Sequence, residues 1–156
     1  MAGAIDDIEK VYREHGYIVL RRAGQILGDA EEAREALQDV FLSLASRPGQ
    51  FAGDSSIATF LYRVTTNYCL NRLRNRRRRA QLIDRAVVNG SWTTWAPASV
   101  DAQDALQRLP EVLARIAVYY FIDEMTQDEI ADLLGCSRRV VGKKLARLQA
   151  EFESWT

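Results

Sequence analysis

A chain of 156 residues, 47% of them hydrophobic and 27% charged, is globular in composition and has room for one medium domain or two small ones. Its 21 Lys and Arg balance 21 Asp and Glu, and a formal net charge of +0 at first argues against a nucleic-acid partner. The two cysteines, Cys69 and Cys136, and the single histidine, His15, lie far apart and form no metal-ligand spacing, so no metal and no cofactor is expected.

The chain opens Met1-Ala2-Gly3-Ala4-Ile5-Asp6-Asp7, without a basic stretch leading into an apolar core, and no apolar run approaches the roughly 18–20 residues of a membrane span. A cytoplasmic protein without a membrane span is expected. A first helix runs from about Ala4 to Leu27, with Ile5, Ile8, Val11, Tyr12, Ile18, Val19, Ile26 and Leu27 as an imperfect apolar stripe. Asp29 and Glu32 have capping-box spacing for a second helix, in which Ala33, Ala36, Leu37, Val40, Phe41 and Leu44 recur at steps of three and four. Arg47-Pro48-Gly49 ends it. Its outer face carries Glu31, Glu32, Glu35 and Asp39, which repel DNA and suit either solvent or a basic protein surface.

Gln50 to Ser56 reads as a loop, and a third helix starts near Ser55 or Ser56 with Ile57, Phe60, Leu61, Val64 and Tyr68 as its apolar stripe. Arg63, Thr66, Asn67, Asn71 and Arg74 are expected on the opposite, polar face, and the arginine cluster is expected to end the helix. From about Ala80 to Ser99 the periodicity degrades; Asn89-Gly90-Ser91 marks a turn, and Trp92 and Trp95 are unusual for a solvated linker. A second helical module begins near Asp101, with Leu106, Leu109, Val112, Leu113, Ile116, Tyr120 and Phe121 as its apolar face and Pro110 opening a new helix. Thr126 and Glu129 form a capping box, Gly135 closes that helix, and Ser137 caps a last one with Val140, Val141, Leu145, Leu148 and Phe152 inward. No segment reads as a strand. The expected fold is all-α: two small helical domains joined by a flexible linker, the second containing a helix-turn-helix.

The zero net charge is an average over opposed segments. Residues 72–79 hold six arginines and no acid, residues 138–147 hold Arg138, Arg139, Lys143, Lys144 and Arg147, and residues 1–40 hold nine acids against five bases. Arg72 to Arg79 suit phosphate contacts, and the loop from Phe51 to Ser56 supplies an aromatic ring and small hydrogen-bonding groups for an unstacked base. Residues 127–147 have helix-turn-helix spacing: Ala131 where helices cross closely, Gly135 at the turn, and Val141 back in the core, with the basic residues outward. No paired carboxylates, glycine-rich phosphate loop or catalytic triad is evident, so an enzyme is not expected.

Together these segments resemble the sigma-70 family, specifically the two-domain extracytoplasmic-function (ECF) sigma factors. Asp29 to Phe41 is similar to the family's polymerase-binding helix. Phe51 to Arg74 and the arginine cluster are similar to the segment that recognises and melts the −10 element, and Thr126 to Arg147 resembles the −35-reading helix-turn-helix. The resemblance implies promoter-specific transcription initiation with core RNA polymerase, promoter DNA and an anti-sigma factor as partners. It implies a polymerase-binding domain over 1–80, a linker over 81–100 that threads through polymerase, and a −35 domain over 101–156. Glu35, Gln38, Asp39 and Phe41 are then placed at the β′ clamp helices, and the second domain's apolar surface at the β flap. Phe51, Gly53, Asp54, Ser55, Arg63, Asn67, Asn71, Arg74, Arg76 and Arg77 are placed at the −10 strand, and Ser137, Arg138, Arg139, Lys143, Lys144 and Arg147 at the −35 duplex. The sequence departs from the family pattern at Phe60 (usually Trp), Val140 (usually Thr) and Gly142 (usually Lys). Two other readings are a sigma mimic that sequesters an anti-sigma factor, against which the arginine run argues, and a stand-alone dimeric helix-turn-helix repressor.

Overall fold

The computed structural model describes residues 7–51, 53, 55–83 and 100–155. Asp54 and the segment holding Trp92 and Trp95, both singled out above, lie outside them. The described residues form seven α-helices with one 3-10 turn and one π-helical turn, and contain no strand. The chain divides into two compact units, Met1–Gln103 and Asp104–Thr156.

In the first unit, α1 (Ile8–Leu27) begins where Asp7 accepts a hydrogen bond from the Lys10 amide, so the first turn's open donors are met by a carboxylate. Helix α2 (Ala30–Ser46) is capped by Asp29, which accepts from the amides of Glu31 and Glu32 (2.8 and 3.2 Å). Helix α3 (Ile57–Ile83) starts at Ser56, whose Oγ accepts from the Thr59 amide (3.1 Å). Helix α1 packs on both α2 and α3. Val19, Val40, Phe41, Leu44, Phe60 and Leu61 form the centre of the core, flanked by Leu37, Phe51, Val64 and Tyr68. Burying each large aliphatic contributes about 1.5–3 kcal/mol, which holds the three helices together against their chain entropy. The arginine cluster does not end α3, as the charge run had suggested, but forms its last turns, because arginine is a good helix former.

The second unit holds the C-terminal part of α4 (Val100–Arg108), then α5 (Glu111–Ala117), α6 (Gln127–Leu134) and α7 (Arg138–Ser154). Leu109, Leu113, Ile116, Tyr119, Ile130, Val141 and Leu148 are buried there. A π-helical turn, Val118–Ile122, follows α5. Steps of four from Ile116 and Ala117 assign Tyr120 and Phe121 inward; the wider turn shifts the phase there. Tyr119 is fully buried instead, while Tyr120 and Phe121 are 37% and 57% exposed and Val112 is also exposed.

Candidate nucleic-acid interface

Along α3, Arg63, Asn67, Asn71, Arg74 and Arg78 follow at steps of four, four, three and four, the spacing that places side chains on one helical face. Leu61, Thr65, Cys69 and Leu73 occupy the buried face of the same helix. Asn71 and Arg78 are exposed, and Arg63, Asn67 and Arg74 are half-buried, with the Asn67 Oδ1 turned inward. Thr66, expected on the outward face, is fully buried: its Oγ1 accepts from Arg22 Nε (3.0 Å) and donates to the Tyr62 carbonyl (2.8 Å). Arg22 itself is only 2% exposed and lies 4.2 Å from the centre of the Tyr62 ring. A cation in the middle of an apolar helix pattern carries no sign in sequence that the fold will enclose it.

The loop before α3 is anchored by Phe51, half-buried, whose ring lies 5.1 Å from that of Phe60. Gly53 has φ +80°, and the Ser55 hydroxyl donates to the Ser56 carbonyl (3.2 Å). Phe51 is therefore anchored against the first turns of α3.

The arginine run divides in two. Arg77 is half-buried, and Arg78 and Arg79 are exposed. Arg72 and Arg76 instead turn back onto the acidic helix: Arg72 pairs with Glu35 and with Glu32 (Nε to Oε1, 3.5 Å), and Arg76 pairs with Glu32. Tyr68 donates to Asp39 and accepts from Arg72 Nη1 (3.2 Å). Arg76 Nη1 also donates to Gln103 Oε1 (3.4 Å), and Gln103 Nε2 donates to the Leu27 carbonyl at the end of α1 (3.0 Å). Partial burial opposes the charge on Arg72, but its bonds to Glu35 and Tyr68 hold it above the ordinary arginine range. Burial and the bond to Asp39 raise the Tyr68 hydroxyl. Arg76, placed at the DNA strand by the sequence reading, is thus engaged by protein in this structure. So are Glu35 and Asp39, placed at a polymerase face, and Glu32 serves Arg72 and Arg76 rather than closing a capping box.

On the outer face of α2, Gln38 is exposed. Phe41, expected beside it, is only 5% exposed and meets the Tyr12 ring edge-on at 5.1 Å, so it shapes the core rather than the surface. Its neighbour Leu42 is 64% exposed and presents the apolar side chain that the sequence reading had assigned to Phe41.

In the second unit the capping box is complete: Thr126 Oγ1 accepts from the Glu129 amide (3.1 Å) and the Thr126 amide donates to Glu129 Oε2 (3.2 Å). Gly135 closes α6 with φ +69°, a conformation in which a side chain costs about 1–2 kcal/mol. Ser137 Oγ accepts from the Val140 amide (3.3 Å) and starts α7. Val141 is buried, and Arg138, Arg139, Lys143 and Arg147 are exposed, with Lys144 half-buried. Arg138 lies 3.7 Å from Asp128, both side chains about two-thirds exposed, which leaves that pair weak. The arrangement is a helix-turn-helix whose second helix carries an exposed cationic face.

Two family models match this chain in the order of these two modules: Sigma-70 region 2 over residues 11–79 and Sigma-70, region 4 over residues 99–148. The chain belongs to the sigma-70 family, as an ECF sigma factor. The region 2 match takes in α2 and most of α3, including every member of the polar stripe; the region 4 match takes in the whole of the helix-turn-helix core through Leu148.

Relatives of this sigma factor include the ECF RNA polymerase sigma factor SigM of Mycobacterium tuberculosis, 29% identical over 97% of this chain and 78% of that protein. The ECF RNA polymerase sigma factor SigW of Bacillus subtilis is 23% identical over 92% of this chain and 84% of that protein. Among solved structures, the sigma factor RpoE in complex with the anti-sigma factor NepR from Bartonella quintana has the same fold, with a TM-score of 0.59 at 14% identity and 96% of both chains covered.

Proposed function

We propose that this sigma factor docks on core RNA polymerase through the outer face of α2 and opens promoter DNA with α3 while α7 reads the −35 duplex. The stripe Arg63, Asn67, Asn71, Arg74 and Arg78 on α3, with Phe51 packed on Phe60 of the same helix, carries this reading. Guanidinium groups grip phosphate, and amides address base edges once the strand is unpaired. Arg77 and Arg79 extend the phosphate track, and Asp54 is assigned to the −10 strand. The first domain is taken as 1–80 with its α3 extension to Ile83, the linker as the following residues to about 100, and the −35 domain as 101–156.

Polymerase contact falls to Gln38, Leu42 and the carboxylates of Glu35 and Asp39, meeting the β′ clamp helices. In the second unit Tyr120, Phe121, Phe152 and Trp155 form a chain of ring contacts with centroids 5.0–6.2 Å apart, partly exposed, which suits an apolar segment of the β flap. Ser137, Arg138, Arg139, Lys143, Lys144 and Arg147 face the −35 duplex. Polymerase supplies the phosphoryl-transfer chemistry and this chain supplies recognition, so it is no enzyme and needs no cofactor; its site of action is the cytoplasm. An anti-sigma factor is a further partner of this reading. No helix among the described residues is long and apolar enough to cross a membrane.

The test is transcription by sigma-free core polymerase on fragmented genomic DNA of the source organism, with and without the chain. Transcripts with fixed start points that require the chain are the expected result. None from any fragment would refute the reading.

A further inference from the structure

Val140 stands in the first turn of α7, at its third helical position. The sequence pattern assigned it to the inner face together with Val141, but it is 41% exposed, whereas Val141 beside it is fully buried. The step of about 100° between adjacent helical positions turns one valine to the core and the other to the surface. Val140 shares its side of the helix with Lys143 and Arg147, three and seven residues further on, and both of these are exposed. A single apolar side chain on a protein surface is ordinary. One set among the cations of a DNA-facing helix has a more specific use. Its amide donates to the Ser137 hydroxyl (3.3 Å), which fixes the backbone of this turn. Its branched side chain is stiff in a helix, so little freedom is lost when a ligand packs against it.

The major groove presents base pairs as patterns of hydrogen-bond donors and acceptors, with one apolar feature among them, the C5 methyl of thymine. A valine side chain has neither donor nor acceptor, so that methyl is the feature of a base edge it can select. Helix-turn-helix proteins bring the N-terminal residues of their second helix to base edges, and the Ser137 cap places Val140 in that turn. Lys143 and Arg147 beside it suit phosphate, whose contacts fix the register of a protein on the duplex and carry no sequence information themselves. We propose that Val140 is a specificity-determining residue that reads a thymine in the −35 duplex by packing on its C5 methyl. The cations of α7 hold the helix in place, and the valine adds a base preference that they cannot supply. The inference rests on the reading that α7 meets the −35 duplex.

The test uses the full chain with core polymerase and a promoter duplex mapped by transcription. Each thymine of the −35 segment, on both strands, is replaced in turn by uracil, which removes the C5 methyl and leaves every donor and acceptor in place. At one position the affinity of the complex is expected to fall by about fourfold, the worth of one buried methyl-sized group. That ratio is expected to stay constant from about 50 to 200 mM salt, because an apolar contact releases no counterion. With Val140→Ser, thymine and uracil at that position are expected to bind alike, while the remaining positions keep their order. A scan in which no thymine matters overturns the inference. So does a sensitive position that stays equally sensitive in the serine variant, or a ratio that collapses with salt. Should the serine variant unfold, Val140→Ala withdraws both γ-methyl groups and favours the helix; it is expected to shrink the thymine-to-uracil ratio, and an unreduced ratio overturns the inference too. Transcription is read separately: chain-dependent transcripts with a flat uracil scan sink the thymine contact alone, and absent transcripts sink the functional reading and this inference with it.

Discussion

Two arginine-rich helices of the same molecule use their charge in opposite ways. On α7 Arg138, Arg139, Lys143 and Arg147 stand at the surface, and the ion pair of Arg138 with Asp128 is exposed and 3.7 Å long. On α3 the run is partitioned by helical phase. Arg78 belongs to the outward stripe, whereas Arg72 and Arg76 reach the carboxylates of α2. A cluster of cations therefore says where charge is concentrated, but the partner of each is set by the angle it leaves the helix and by what packs there.

The strongest way to break this comparison is to strip each helix in turn and watch the salt dependence of DNA binding. Replacing Arg139, Lys143 and Arg147 with Ala is expected to make promoter-duplex binding by the polymerase complex less salt-dependent, the log–log slope falling by about 2.7 for three lost phosphate contacts. Filter binding from 50 to 200 mM salt measures it, and an unchanged slope would show that α7 does not meet phosphate. Next in size, Arg72→Gln with Arg76→Gln in the free chain is expected to leave the single-stranded DNA slope unaltered while lowering stability by about 1–2 kcal/mol, because the carboxylates of Glu32 and Glu35 lose their partners. Urea unfolding reads the second effect; a weakened DNA slope without lost stability would make α3 behave like α7.

Gly142→Ala sharpens the comparison from the other side. A Cβ at Gly142 would lie 3.4 Å from Gln127 Oε1, the end of a flexible side chain, so helix propensity decides the outcome. Thermal unfolding is expected to show a gain of about 0.5–1 kcal/mol with the duplex salt slope unchanged. The smallest effect belongs to Arg138→Ala, within about 0.5 kcal/mol in stability, since both members of its pair are about two-thirds exposed. A larger loss would mean that α7's basic face is tied to the protein as firmly as the inner edge of α3.

Local signals in the sequence carried far. Asp29, Thr126 with Glu129, Gly135 and Ser137 each stand where their chemistry placed them, because a cap depends only on neighbours three or four residues away. The helix-turn-helix followed from the same short-range rules. What escaped depends on tertiary register. The ladder of α2 and α3 joins residues about 30 to 44 positions apart, so no spacing rule finds it. Thr66 was expected on the polar outward face and Arg22 was given no role, but a guanidinium with a hydroxyl acceptor and an aromatic ring beneath it satisfies itself inside the fold. Phe41, which the resemblance placed at the polymerase face, is covered while Leu42 beside it is exposed, because adjacent helical positions differ by about 100° and the packing of α1 decides which of them is covered. The π-helical turn after α5 shifts the helical phase at Tyr120 and Phe121, so a stripe continued by fours fails there.

The most direct measurement places a photo-crosslinking amino acid at position 71, the exposed asparagine at the middle of the α3 stripe, in the complex of this chain with core polymerase and a promoter mapped by transcription. Cross-linking to one strand of the opened segment, lost when Arg63 and Arg74 are replaced by Ala, is the expected result. Labelling of polymerase or of duplex upstream DNA instead, with the opened strand untouched, would contradict the assignment of α3 to strand opening.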